Sequence, residues 1–288
     1  MCEFRYAFFC AGTNFRKWYK NPTIAMLTVL WAVFLVRFLF GTSLFCVKSG
    51  YRITPWVLPF CLNNTYTLLI FSIMVLILFS QAPFCDTTVP FTMVRTGKQW
   101  WFVGQMLYII GASFAFTVFT AGCIFLIFAP CMSYDAGWGG VIVGLAEQPS
   151  LIAEYSTFFA VNPAILRHYT PWKATLYTFL LQWLSCVMIG FVILCLNTVV
   201  RPGIGVIVSA AIAFWCPFAK LQQYNYGSWV FYTMLFQWSS LDMMAPIQAR
   251  GPSITLAVSV ELLCIVMMAV ISTIVFCRRD TIFETHKF

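Results

Sequence analysis

Residues 57–82, 103–130, 174–199 and 204–219 contain not one charged side chain. A nearly uncharged apolar run of about 18 or more residues marks a helix that crosses a bilayer. Lipid offers peptide groups no hydrogen-bond partner, so such a run must satisfy its backbone internally. Two further runs, 24–46 and 254–277, carry one charge each, Arg37 and Glu261. Composition agrees, since the chain is 61% hydrophobic and 9% charged, whereas a soluble domain carries about 25% charged residues. The expected fold class is an all-α integral membrane protein with six transmembrane helices, at about 24–46, 57–82, 103–130, 173–199, 204–219 and 254–277. They form one domain over 1–288, because little polar sequence is left for another.

The formal net charge of +8 suits lysines and arginines that flank spanning helices. No basic helix, zinc-finger spacing or RNA-binding signature accompanies it, so nucleic acid is not an expected partner. The 12 cysteines are scattered, with no CxxC, and His168 and His286 are remote from any cysteine cluster, so no metal site is expected. Cys46, Cys61 and Cys131 fall near one membrane face and could form a disulfide. Glu3, Arg5, Arg16, Lys17 and Lys20 spread charge through the N-terminal residues, unlike the short apolar core and small-residue cleavage site of a signal peptide.

The connecting segments carry the individuality. Residues 1–22 interleave Phe4, Tyr6, Phe8, Phe9, Phe15, Trp18 and Tyr19 with basic residues, which predicts a helix lying in the interface, aromatics in lipid and cations at the headgroups. Asn63-Asn64-Thr65 fits a glycosylation sequon. Residues 131–172 predict short interfacial helices over 138–146 and 151–161. Between spans five and six, polar ends enclose the apolar patch 229–236, too short to cross as a helix and therefore expected to dip in and return.

Basic residues orient the chain. With the N-terminus inside, one side holds Arg5, Arg16, Lys17, Lys20, Arg95, Lys98, Arg201, Arg278, Arg279 and Lys287, and the other holds Lys48, Arg52, Arg167, Lys173, Lys220 and Arg250. Ten against six places both termini in the cytoplasm. Residues 83–102 then face the cytoplasm, and 131–172 and 220–252 face outside. In the first of these, Asp86, Thr87 and Thr88 can cap a short helix at about 88–95 that stops near Gly97. Arg95, Lys98, Trp100 and Trp101 follow.

No phosphate loop is present, since Gly97-Lys98 lacks both the preceding glycine and the following hydroxyl residue. HExxH, GxSxG and paired histidines on one helix face are also missing. The chain is expected to be neither an enzyme nor an ATP binder.

This layout resembles the membrane subunit of the type-2 ABC exporter class, in particular uncharacterised permeases of Gram-positive bacteria. Local pieces add to the likeness: Ala82-Pro83-Phe84, Arg95-Thr96-Gly97-Lys98, Trp100, Gly104-Gln105-Met106-Leu107-Tyr108, Trp138-Gly139, and Tyr169-Thr170-Pro171-Trp172-Lys173-Ala174. The likeness spans nearly the whole chain in layout and is specific only in these pieces. Residues 131–172 are longer than many members carry between spans three and four. The resemblance implies an elbow helix at 1–22, a cytoplasmic coupling helix within 83–102 and a re-entrant segment at 229–236. It also implies a second permease copy, as homodimer or heterodimer, and two copies of an ABC ATPase that bind the ATP and Mg this chain does not. The implied cargo is amphipathic: a peptide antibiotic, a drug or a lipid-like compound leaving a bacterial cell across its plasma membrane.

On this reading Asp86, Thr87, Thr88, Arg95, Lys98, Trp100 and Trp101 form the ATPase contact. The two basic residues would meet acidic groups, and the tryptophans would sit at headgroup level. The bland alternative is an ordinary turn with positive-inside residues. Arg37 and Glu261 fall at similar depth in the outer half, and intramembrane charges are usually paired or functional, so they are expected either to pair, within a subunit or across a dimer, or to face polar groups separately. Gln222, Gln223, Gln237 and Asp242 could line an exit vestibule or be ordinary solvated loop residues. Competing functions are a stand-alone secondary transporter or channel, although no internal repeat is evident, and a non-transporting scaffold.

Overall fold

The computed structural model describes residues 4–85, 89–148, 150, 161–222 and 227–278. It is 80% helical with no strand among the described residues. Five helices are long and apolar enough to cross a membrane: α2 (Pro22–Ser49), α6 (Lys98–Phe128), α9 (Pro171–Val199), α10 (Ile204–Leu221) and α11 (Ile254–Arg278). Between α2 and α6 lie α3 (Leu58–Cys61), α4 (Thr65–Phe79) and α5 (Val89–Thr96). Ahead of α2 comes α1 (Phe4–Arg16), and between α6 and α9 come α7 (Gly139–Glu147) and α8 (Pro163–His168).

The second expected span, 57–82, is divided. The Asn64 side chain accepts from the Tyr66 and Thr67 amides at 2.9 and 3.4 Å, so it caps a new helix where the hydropathy is continuous. The resulting α4 has 15 residues, about 22 Å at about 1.5 Å per residue, against a hydrocarbon core of about 30 Å. The sequon residue Asn63 is buried in the same turn.

α9 is the centre of the bundle. It is the most buried of the five long helices, at 72% of its most apolar window, and it packs against α11, α10, α6 and α4. α11 keeps one stripe inward (Ala257, Glu261, Ile265, Ser272 and Phe276) and exposes Leu262, Leu263, Val266 and Val270. That division matches an outer helix with one face in the core and the rest toward lipid.

The aromatic N-terminus forms a helix, as the composition predicted. Ala7, Cys10, Ala11 and Asn14 face inward, while Phe4, Tyr6, Phe8 and Phe9 face outward. Its small face rests on Gly104 of α6, where an added Cβ would stand 2.5 Å from Cys10 Cβ and 2.9 Å from the Ala7 carbonyl oxygen. Two hydrogen bonds fix the alignment: Asn14 Nδ2 to Gln105 Oε1 at 3.1 Å, and Trp18 Nε1 to the Tyr108 hydroxyl at 2.8 Å.

Segment 227–252 fills the space between α10 and α11 with short 3-10 turns at Ser228–Thr233, Leu235–Gln237 and Leu241–Met243. Phe231, Met234, Phe236, Trp238 and Leu241 are buried, and the segment packs against α4, α9 and α10. Trp238 Nε1 donates back to the Phe231 carbonyl at 2.9 Å. Irregular backbone covered by protein in this way is the form in which such a segment can enter a membrane.

Residues 139–147 form α7, close to the expected 138–146, whereas the expected helix at 151–161 lies almost wholly outside the described residues. Cys46, Cys61 and Cys131 are all free thiols, so the disulfide considered among them is not formed.

Candidate functional site

Among the described residues, three arrangements hold the expected site residues: α5 at one end of the bundle, a cavity at the other, and Glu261 between α9 and α11.

α5 occupies Val89–Thr96. Its proposed caps, Asp86, Thr87 and Thr88, lie outside the described residues. The helix ends at Gly97, whose φ of 83° suits a residue without Cβ. The Gly97 amide donates to the Met93 carbonyl at 2.9 Å, and the Gly97 carbonyl accepts from the Trp101 amide at 3.1 Å, so one glycine joins α5 to α6. Val89 and Thr96 are buried, and the Cys10 thiol donates to the Thr96 hydroxyl at 3.8 Å. The opposite face is open: Phe91 is 78% exposed and Val94 90% exposed, with Arg95 beside them. Positions 91, 94 and 95 share one side of a helix, so this is a small apolar patch with a cation at its edge.

Lys98 and Trp101 are placed differently from the expectation. Lys98 Nζ donates to the Cys277 carbonyl at 3.5 Å and lies 5.5 Å from the centroid of the Phe276 ring. It serves the C-terminal end of α11, where a helix favours a cation, rather than standing out for a partner. Trp101 is 3% exposed and stacks on Phe276 at 5.6 Å, inside the protein instead of at a headgroup surface. Trp100 is half-buried, edge-on to Phe4 at 6.2 Å.

At the opposite end, Asn63, Asn64, Thr65, Tyr66, Lys220 and Asp242 line a cavity of ≈ 240 Å³. The Asp242 carboxylate accepts from Asn63 Nδ2 through one oxygen and from Asn162 Nδ2 at 2.7 Å through the other. Asn63 Oδ1 in turn accepts from the Ser240 hydroxyl at 2.5 Å. Burial pushes the Asp242 carboxyl above the usual carboxylate range, opposed by the two asparagine amides and the Lys220 ammonium. Of the expected vestibule residues that are described, Gln222, Gln237 and Asp242, the last lines the cavity. Gln237 is buried and donates to the Thr65 carbonyl at 3.4 Å. Gln222 caps α10 through its backbone amide, and Gln223 lies outside the described residues. Asn63, which completes the network with Asn162, was legible only as part of a sequon, and Asn162 was not singled out.

Arg37 and Glu261 do not pair within the chain. Arg37 is on the exposed side of α2. Glu261 is 0% exposed, with Oε1 accepting from Ser185 Oγ at 2.8 Å and Oε2 buried without a hydrogen-bond partner. The carboxyl turns toward α9 and is covered by its own chain.

No group of three or more His, Cys, Asp or Glu able to hold a metal occurs among the described residues. No protein-family model matches the chain, and no curated protein or solved structure matches it significantly.

Proposed function

We propose that this chain is the permease subunit of an ATP-driven exporter, with the ATPase on a separate subunit that docks on α5. The observation that supports this reading is the open face of α5. Phe91, Val94 and Arg95 project from a short helix tied at both flanks to α1 and α6. A rigidly mounted apolar knob with a peripheral cation suits a protein groove with an acidic rim, where apolar contact supplies affinity and charge supplies register. Motion of the partner would pass through Gly97 directly into α6. The membrane is taken as a bacterial plasma membrane with both termini cytoplasmic. The transported compound is taken as amphipathic, and a second permease copy completes the pathway.

The test is a triple substitution, Phe91→Ser, Val94→Ser and Arg95→Glu, with co-purification of a candidate ABC ATPase co-expressed with this chain. Loss of the complex with unchanged folding supports the reading, and full retention refutes it. Lys98 is left out because its substitution would disturb α11.

A stand-alone transporter is the second reading. It is favoured by Glu261, since ionisable residues inside the bundle often mark ion or proton pathways.

A further inference from the structure

Glu261 has one hydrogen-bond donor, the Ser185 hydroxyl, on one of its two buried oxygens. On α9, Gln182, Ser185 and Cys186 occupy neighbouring positions of one buried face, spaced so that one helical turn separates Gln182 from the other two. Gln182 Nε2 donates to Cys186 Sγ at 3.9 Å, which also meets Thr117 Oγ1 of α6 at 3.9 Å. Ser185 Oγ spends its proton on Glu261 Oε1. Two acceptor oxygens then remain buried with nothing donating to them: Gln182 Oε1 and Glu261 Oε2. The titratable group against Glu261 on α9 is the Cys186 thiol. α6 contributes the neutral hydroxyl of Thr117, and Cys264 lies one turn further along α11. No lysine or arginine is bonded to the carboxyl among the described residues.

An ionised carboxylate here would carry a full charge, fully covered, on a single hydroxyl donor. Buried charges persist when they are paired and fully hydrogen-bonded, and neither condition is met. A proton on Oε2 removes the charge and leaves no ionised oxygen buried without a partner. We propose that Glu261 is an intramembrane proton-binding site, held as the neutral acid between α9 and α11, which exchanges its proton with water when those helices part. The inference stands independently of the ATPase reading, because it concerns the chemical state of one side chain.

Infrared spectroscopy of the full-length protein at neutral pH, in an ester-free detergent such as dodecyl maltoside, tests this. A protonated carboxyl gives a C=O stretch above the amide I band, which an ionised carboxylate does not. The expected result is one such band that disappears in Glu261→Gln, moves to higher frequency in Ser185→Ala as its hydrogen bond is lost, and moves to lower frequency on transfer to D2O. Absence of the band in the wild type, or its persistence in Glu261→Gln, overturns the proposal. A band that appears only after sodium is removed would also overturn it, in favour of a bound cation on an ionised carboxylate. A band that never responds to D2O overturns the exchange. If Glu261→Gln does not fold, Ser185→Ala decides the assignment: an unshifted band means that the acid is not Glu261.

Discussion

Replacing Gly104 by alanine should detach the N-terminal helix from the bundle. The added Cβ would meet Cys10 Cβ at 2.5 Å and the Ala7 carbonyl at 2.9 Å, whereas carbon atoms rest at about 3.5–4.0 Å. α1 must therefore move outward by about 1 Å or more to relieve the contact. Asn14 Nδ2 already stands 3.1 Å from Gln105 Oε1, so such a move takes it beyond hydrogen-bond range. Asn14 is 5% exposed, and stranding a buried polar group costs about 1–3 kcal/mol. Together with the overpacking itself, about 1–3 kcal/mol, docking weakens by roughly 2–6 kcal/mol, or about 30-fold or more, at about 1.4 kcal/mol per factor of ten. Trypsin reports this through Arg16, Lys17 and Lys20, which become cleavable as the helix lifts. Removing the opposing Cβ with Cys10→Gly should recover part of the loss in the double mutant, because the Ala7 carbonyl contact remains. A cleavage rate within twofold of wild type for Gly104→Ala alone would refute the packing argument.

The remaining predictions concern both ends of the bundle. Trp101→Ala should lower stability by about 3–5 kcal/mol, as for a buried aromatic, while Trp100→Ala should cost far less, and thermal unfolding in detergent compares the two. Because burial raises the Asp242 carboxyl in the folded state, its favourable contribution belongs to low pH and is lost as pH rises above its ordinary value of about 3.9. Asp242→Asn, a near-isostere of the neutral acid that does not titrate, should remove this pH dependence, so its stability relative to wild type should rise as pH rises. A relative stability that falls with rising pH in unfolding scans would contradict this sign. Asn63 should remain unmodified if the chain is expressed in a eukaryotic cell, since its amide is buried and donates to Asp242, and a mobility shift on glycosidase treatment would show otherwise.

Hydropathy made the long helices readable because lipid imposes one rule on every spanning residue. The same uniformity hid the division of the second run, where continuous apolarity outweighed a cap visible only as Asn64 accepting from two amides. Composition made α1 readable as a helix because aromatic and basic residues are interleaved there, whereas its small face against Gly104 was not read from the sequence. Side-chain destinations were less legible. Lys98 and Arg95 stand three residues apart with the same charge, yet Lys98 turns to the end of α11 and Arg95 stays exposed. That difference depends on where α11 ends in space, which no local pattern records. Glu261 was conspicuous as a charge, but its partner Ser185 is 76 residues away and resembles any other helix serine. The Asp242 network likewise joins Asn63, Asn162 and Asp242 from three distant segments.

The central functional proposal rests on α5 as a contact that relays work from an ATPase. Its most direct measurement is ATP hydrolysis by the proposed ATPase partner, reconstituted with and without this chain in lipid nanodiscs. The account predicts hydrolysis that rises when the chain is present and returns to the isolated rate when Phe91, Val94 and Arg95 are replaced together. Hydrolysis indifferent to the chain, or equally stimulated by the triple mutant, would contradict it.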